Sequence, residues 1–217
     1  MNELKLNCAA LDELLGGGIE PGIITKIYGE TGTGKTNICL QASKECGKNK
    51  GKVAYIDSEG VSIERLHQMC MDENFEKIFK NILFFSPNSF KEQEETISKA
   101  LKIKGLKLII VDSISFFYRL NLEEDREGIM RSFTRQVAEL QINCRQKNLY
   151  VILVEQVYSD KNGEIKPFTN RDTDHMIKTV IKLEKKGIGK RQATCMKHRS
   201  QAEEQKKCFS ITARGLQ

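Results

Sequence analysis

The sequence predicts an α/β fold: a mainly parallel, twisted sheet with helices on both faces and an antiparallel meander at the C-terminal end. Three observations lead there. The octapeptide GETGTGKT (residues 29–36) sits between a β-rich alternating run, GIITKIY, and a helical run, KTNICLQASKEC. Near-continuously apolar runs (KVAYID, LKLIIVD, LYVILVEQV) recur between helical patterns, as strands buried on both faces require. Strands that alternate with helices build a parallel sheet, because each parallel connection needs a crossover. The 217 residues form one domain on this reading, with no internal repeat and no linker.

In chain order, residues 8–19 predict a short helix closed by glycines, and residues 21–29 the first strand. The helix after GETGTGKT runs to about residue 47, and GKNKGK is a polar loop. Residues 52–57 form the second strand, SIERLHQMCMDEN a helix, and residues 81–86 a third strand stopped by Pro87. SFKEQEETISKALKI is a helix with Ser89 and Glu92 at capping-box spacing. Residues 106–112 give the fourth strand, SISFFYRLNL an irregular aromatic stretch, and residues 124–147 a long amphipathic helix. Residues 149–157 are the fifth strand. The turn-rich YSDKNGEIKPFTNRDTDH is the best loop in the chain, and IKTVIKLEK, RQATCMKH and KKCFSIT are the meander.

Composition narrows the class. Hydrophobic residues at 39% and charged residues at 29% suit a soluble protein with a sizeable core. No apolar run approaches the ~20 residues of a spanning helix, and the N-terminus lacks a signal-peptide pattern, so a membrane role is not expected. The seven cysteines are scattered without a C-x-x-C pair. Reduced, buried thiols in a cytoplasmic protein are the expectation, and neither Cys nor His falls at zinc-ligand spacing. The net charge of +6 is uneven: from Lys178 onward eleven Lys or Arg face three Glu. Such a basic end suits a polyanion, although lysines on solvated strand edges would look the same.

GETGTGKT matches the phosphate-binding pattern G-x-x-x-x-G-K-[ST] at every specified position. Gly29, Gly32 and Gly34 let the backbone approach an anion, and the amides of Glu30, Thr31 and Thr33 complete the nest. Lys35 reaches the β- and γ-phosphates and the Thr36 hydroxyl holds Mg²⁺, so a nucleoside triphosphate, ATP, is the implied ligand. Parallel sheets place ligand sites at strand carboxyl ends, where this chain carries Asp57-Ser58-Glu59, Asp112-Ser113 and Glu155-Gln156. Asp112 is placed to reach Mg²⁺. Glu59 is the candidate to orient or deprotonate the attacking water, or else an ordinary loop acid. Gln156 either senses the γ-phosphate or simply satisfies strand-end backbone groups.

LDELLGGGIEPGIITKIYGETGTGKT, YIDSEG, LIIVDSIS and VEQV occur in the order and spacing of the RecA/RadA recombinases, and the resemblance covers essentially the whole chain. It implies a RecA-like P-loop NTPase core, with Glu59 as catalytic glutamate, Asp112 as magnesium aspartate and Gln156 as γ-phosphate-sensing glutamine. It implies two DNA-facing loops, one holding Phe116, Phe117, Tyr118 and Arg119, the other Tyr158, Lys161, Lys166, Phe168 and Arg171. Aromatic residues interleaved with Lys and Arg suit single-stranded DNA, although Phe116 and Phe117 also fit a core. Lys197 and Arg199 match a K-x-R element that meets a neighbour's γ-phosphate in a homo-oligomer, given that residues two apart on a strand point the same way. The alternatives for them are a solvated strand end or a DNA phosphate contact.

On this resemblance the chain is expected to lack the family's N-terminal helical domain and the linker with the F-x-x-A polymerisation element. Glu155 stands where many relatives have asparagine, an acid expected to repel phosphate or weaken coupling to the second loop. The most similar members are reduced archaeal ones. They imply weak Mg²⁺-dependent ATPase activity and an accessory role in DNA repair and recombination. They also imply dealings with the main recombinase and a Holliday-junction resolvase. A minimal strand-exchange recombinase and a KaiC-like ATPase acting on proteins are the alternatives, the latter disfavoured because Gly60 replaces the second of its paired glutamates.

Overall fold

The computed structural model describes residues 3–122, 125–160, 165–168 and 171–217. In chain order the elements are α1 (Ala9–Leu14), β1 (Ile24–Gly29), α2 (Lys35–Lys48), β2 (Lys52–Asp57), α3 (Ile63–Met69), α4 (Phe75–Phe79), β3 (Ile82–Phe85) and α5 (Phe90–Ala100). They continue with β4 (Leu106–Asp112), α6 (Ser115–Asn121), α7 (Arg126–Lys147), β5 (Tyr150–Glu155), β6 (Val157–Ser159), β7 (Ile165–Pro167) and α8 (Arg171–Asp174). The chain closes with β8 (Ile177–Lys185), β9 (Lys190–Lys197), β10 (Lys206–Thr212) and β11 (Gly215–Leu216).

One sheet of nine strands runs in the order β11-β10-β9-β8-β1-β5-β4-β2-β3. Strands β3, β2, β4, β5, β1 and β8 are mutually parallel; the predicted meander is β8, β9 and β10, each antiparallel to the next, and β11, outside that reading, adds to β10. Every residue of β1 is buried, as are all but the first of β5, which follows from helices covering both faces. One apolar cluster lies on the side of α1, α2, α3 and α4 and includes Leu11, Leu40, Tyr55 and Leu66. The other lies on the side of α5, α6 and α7 and includes Ile97, Tyr118, Phe133 and Leu140. No helix among the described residues is long and apolar enough to cross a membrane.

Local chemistry sets the element ends. Asn148 takes the left-handed conformation (φ 51°) that stops α7. Ser89 caps α5 by accepting from the Glu92 amide at 3.1 Å. Glu92 reaches back to the Asn88 amide at 2.9 Å rather than to that of Ser89, a capping box displaced by one residue.

Two segments differ from the sequence reading. The irregular aromatic stretch is helical: Ile114, Phe117 and Tyr118 fall at i, i+3 and i+4, a helical face that packs on Phe133 and Phe90. The long loop after β5 contains a two-stranded ribbon, β6 against β7, with Tyr158 opposite Lys166. Its strands are three residues each, too short for a period to register, although the intervening Asn162-Gly163 is a hairpin signal. The cap of α5 is open to test. Ser89→Ala should lower unfolding free energy by about 1 kcal/mol in denaturant titrations while leaving nucleotide affinity unchanged.

Candidate nucleotide site and DNA-facing loops

Parallel strands deliver their carboxyl ends to one edge, and five adjacent ones here, β8, β1, β5, β4 and β2, deliver polar groups together. The phosphate loop leaves β1 and returns as α2, whose first-turn amides have no helical partner by construction. Gly32 (φ 75°) and Gly34 (φ 100°) lie in backbone conformations that side-chain-bearing residues avoid. A Cβ on Gly34 would also stand 2.6 Å from Ile211 Cδ1 of β10. Thr33 closes the turn, its hydroxyl donating to the Glu30 carbonyl at 2.8 Å. The Lys35 ammonium donates to the carbonyls of Gly29 (2.7 Å) and Glu30 (3.0 Å), so it lies across the mouth of the loop. Burial lowers its pKa, opposed by the charges of Glu59 and Asp112.

Asp112 ends β4 and is only 4% exposed. Tyr55, fully buried on β2, donates its hydroxyl to Asp112 Oδ2 at 2.8 Å. Burial raises the Asp112 carboxyl from its ordinary 3.8 to about 6, opposed by hydrogen bonds from Tyr55 and Thr36. Thr36 and Asp112 therefore meet, as two oxygen donors sharing a hard cation must. Tyr55 was invisible as a site residue from sequence, since an aromatic in an apolar strand reads as core.

The turn that carries Glu59 is held by Asp57, whose carboxylate accepts from the amides of Glu59, Gly60 and Val61 at 3.1, 2.9 and 2.7 Å. Ser58 ties the turn to the next strand end, donating to the Ser113 carbonyl at 2.9 Å while accepting from the Ser113 amide. Glu59 itself is exposed and accepts from Gln156 Nε2 at 2.9 Å. A carboxylate only accepts, so the Gln156 NH₂ must face it, and Gln156 Oε1 is left without a protein donor. Behind it, the Gln156 amide donates to Ser115 of α6 at 2.8 Å, and the Gln156 carbonyl accepts from the Phe168 amide at 3.3 Å.

These groups line a cavity of about 500 Å³ in which Lys35, Glu59 and Gln156 face Arg119, Tyr158 and Lys185. Arg119, exposed at the end of α6, lies over the Phe168 ring at 5.5 Å, and Phe168 meets Tyr158 at 5.0 Å between centroids. The two predicted DNA-facing stretches thus form one cation–aromatic cluster beside the cavity. Phe117 and Tyr118 are buried and Phe116 packs on the same core, so of that stretch only Arg119 faces outward from the cluster. Lys166 is exposed on β7 and pairs with Asp160. Arg171 begins α8, and Lys161 lies outside the described residues.

Lys197 and Arg199 take separate partners. The strand β9 stops at Lys197, so the two-residue periodicity that would align them ends before Arg199. Lys197 donates to the Asp174 carbonyl at 2.7 Å, and Arg199 pairs with Glu20 at 3.3 Å. Glu155 points into the sheet, 1% exposed, with Lys26 of β1 at 3.8 Å. The expected repulsion of phosphate therefore meets a compensating buried cation. Sequence reasoning missed Lys185 and Arg191. The Lys185 ammonium would stand 3.2 Å from a Cβ on Gly32, and Arg191 donates to the Gly32 carbonyl at 3.1 Å. The pairing of β8 with β1 and of β9 with β8 carries them to the loop, and no local signal announces it.

Bare loop amides, an ammonium across the mouth and a hydroxyl–carboxylate pair fit a magnesium-bound nucleoside triphosphate. Fold and site together define a phosphate-loop nucleotide-binding core with its site at the carboxyl ends of adjacent parallel strands. The Rad51 family model matches residues 2–217, and the chain belongs to the Rad51 family. The chain is 42% identical to the DNA repair and recombination protein RadB of Methanococcoides burtonii over 219 residues, covering 99% of this chain and 97% of that one. It is 38% identical to the protein of the same name from Thermoplasma acidophilum, with 100% and 94% covered. A solved structure described as the RadB recombinase superposes with a TM-score of 0.87 at 35% identity, covering 98% of both chains.

The buried Asp112 has a measurable consequence. Between pH about 4 and 6 the folded protein retains a proton that the unfolded chain gives up, so the Asp112 charge costs increasing stability as pH rises through that window. Asp112→Asn should therefore stabilise the metal-free protein at pH 8 by roughly 2 to 3 kcal/mol, the gain shrinking from pH 6 toward 4, while abolishing Mg²⁺-dependent nucleotide binding. Equal stability of variant and parent at pH 8 in EDTA would show that the carboxylate carries no burial cost.

Proposed function

We propose that this chain is an ATP- and DNA-binding accessory protein of homologous recombination and DNA repair, with slow Mg²⁺-dependent ATP hydrolysis. The observation that carries this is the hydrogen bond from Gln156 to Glu59. It joins the candidate water-activating carboxylate to the residue whose carbonyl anchors Phe168, and so joins the nucleotide cavity to the cation–aromatic cluster.

In this reading Lys35 and the first-turn amides of α2 bind the phosphates, and Thr36 and Asp112 hold Mg²⁺. Bound ATP supplies the γ-phosphoryl group, and its metal neutralises the charge that develops on transfer. Glu59 orients a water and accepts its proton. With Gln156 bonded to it, the carboxylate is held in a fixed rotamer but shares its charge, which favours slow turnover. A change in what Gln156 contacts is passed to Phe168 and Arg119 through one backbone hydrogen bond and one ring contact.

Arg119, Tyr158 and Phe168 offer stacking faces and a cation to single-stranded DNA, with Lys166 and Arg171 on the same loop. The solved relative is described as a recombinase, and the sequence resemblance points to the main archaeal recombinase and a Holliday-junction resolvase as protein partners. Both partnerships are part of the proposal, as is any homo-oligomer.

The test is steady-state ATP hydrolysis with and without single-stranded DNA, with Lys35→Ala as the blank. Slow hydrolysis that DNA leaves unchanged, beside measurable DNA binding, is the expected result; strong stimulation would favour a strand-exchange catalyst instead. Glu59→Gln should retain ATP binding and lose on the order of a hundredfold in turnover. Phe168→Ala should weaken single-strand binding by about 1–3 kcal/mol without altering ATP affinity, as read by fluorescence anisotropy.

A further inference from the structure

The amino ends of the strands, opposite the nucleotide cavity, carry a second charged surface. Segments 47–52, 77–82, 99–107 and 145–150 contain eleven Lys or Arg and no Asp or Glu. They lead into β2, β3, β4 and β5, which lie side by side in the order β5-β4-β2-β3. At about 4.8 Å per strand the row is roughly 14 Å across. Lys48, Lys99, Arg145 and Lys147 occupy last turns of helices, where the helix dipole already explains a cation. It does not explain Lys50, Lys52, Lys104 or Lys107, which lie outside any helix and are all exposed.

Elsewhere some exposed cations are paired, Arg131 with Glu127, Arg135 with Glu94 and Arg214 with Asp72, and others, such as Lys91 and Arg126, have no ion pair among the described residues; what sets the rim apart is that its cations are clustered. On this rim Lys48 and Lys99 pair with Glu73 and Glu95, and Lys147 caps the Leu101 carbonyl. Among the described residues none of Lys50, Lys52, Lys77, Lys80, Lys102, Lys104, Lys107 or Arg145 has a carboxylate within ion-pair distance. The nearby acids do not cancel them. Glu45 is buried beside Asn7 and Lys44, Glu73 is held by Lys44 and Lys48, Glu95 and Asp72 are paired with Lys99 and Arg214, and Glu3 and Glu76 stand exposed. Grooves of about 630 Å³, beside Lys48, Lys50, Lys77 and Lys80, and about 730 Å³, beside Lys5 and Lys107, cut into the rim.

We propose that this rim is a second nucleic-acid face that grips the phosphate backbone of duplex DNA. The inference rests on the DNA-binding reading above and extends it to a separate surface. The residue types select the occupant. Ten of the eleven cations are lysines, point charges suited to phosphates and unsuited to bidentate reading of bases. The rim carries no fully exposed aromatic as a stacking platform among the described residues: Tyr150 and Phe79 are half-buried, and the single exposed aromatic is Tyr158, at the opposite pole. A single strand needs such platforms and a duplex does not. A duplex carries one charge per ~1.7 Å of axis with both strands counted, so a row of this width spans a length that holds about eight phosphate charges, about four on each strand. The molecule would then hold single-stranded DNA at one end of its sheet and duplex DNA at the other, without sequence preference.

The experiment compares the full chain with the quadruple variant Lys50→Gln, Lys52→Gln, Lys80→Gln, Lys104→Gln, using a 30-bp duplex and a 30-nucleotide oligo(dT) at several salt concentrations. A quadruple Lys→Arg variant keeps the charge, and thermal melting checks the fold. Duplex affinity should fall at least tenfold with glutamine and survive with arginine. The slope of log affinity against log salt should drop by about 0.9 for each phosphate that the variant no longer neutralises. Oligo(dT) affinity, and its sensitivity to Phe168→Ala, should not change. Duplex binding within twofold of the parent at unchanged slope would overturn the proposal and leave an acidic protein as the better occupant. A parallel fall in oligo(dT) affinity would also overturn it, since the lysines would then act only through the general field. Loss of the Phe168 effect alone would count against the single-strand reading and not against the rim.

Discussion

A loop that presents bare amides to phosphate needs room at its own backbone, and here neighbouring strands set that room. A Cβ on Gly29 would lie 2.4 Å from the Leu183 carbonyl of β8, and one on Gly34 would strike Ile211 of β10. The C-terminal strands are therefore walls of the site as well as an extension of the sheet. They also bring Arg191 to the Gly32 carbonyl and Lys185 to the cavity. Loss of the meander would release the loop from one side and remove two cations from its surroundings. Glycine at these positions answers close approach as much as conformation.

The same edge holds charge in places that stability alone would not favour. Asp112 is buried with two hydroxyl partners, and the fully buried Tyr55 spends its donor on it. Asp57 commits both carboxylate oxygens to three amides so that the next acid, Glu59, can project outward. One carboxylate is thus committed to its turn and its neighbour projects into the cavity, a division set by where each backbone turn points. The network continues through Ser58 and Ser113, so the ends of β2 and β4 are tied together. Rigid support of this kind is what a positioned water requires.

Much of this was legible in the sequence, for identifiable reasons. GETGTGKT, Asp112 and Glu59 lie at strand ends, where residue type and spacing are local properties. The strand and helix order follows from periods that extend over many residues. What stayed hidden is relational. Phe117 and Tyr118 were legible only as aromatic residues, because their helical face exists against Phe90 and Phe133. Tyr55, Lys185 and Arg191 owe their roles to strand pairing across long stretches of chain. The basic rim was hidden differently: four short segments far apart in sequence, each ordinary by itself, become one row because the strand order is β5-β4-β2-β3.

Glu155 shows how such relations change a meaning. As a letter beside Gln156 it looked like an acid set against phosphate. In the fold it faces Lys26, whose ammonium lies 3.8 Å from Glu155 and 3.4 Å from Asp174 of α8. Lys197 donates to the carbonyl of that same Asp174. Strands β1 and β5 and the helix that follows the β6–β7 ribbon are thereby joined behind the nucleotide site by charge, and β9 by a hydrogen bond. A buried acid is costly unless it is paired, and Lys26 supplies an opposite charge. Glutamate in place of asparagine therefore couples the ribbon's exit to the strand that carries the phosphate loop. The substitution that looked like a defect in phosphate sensing is a tie between the two halves of the site.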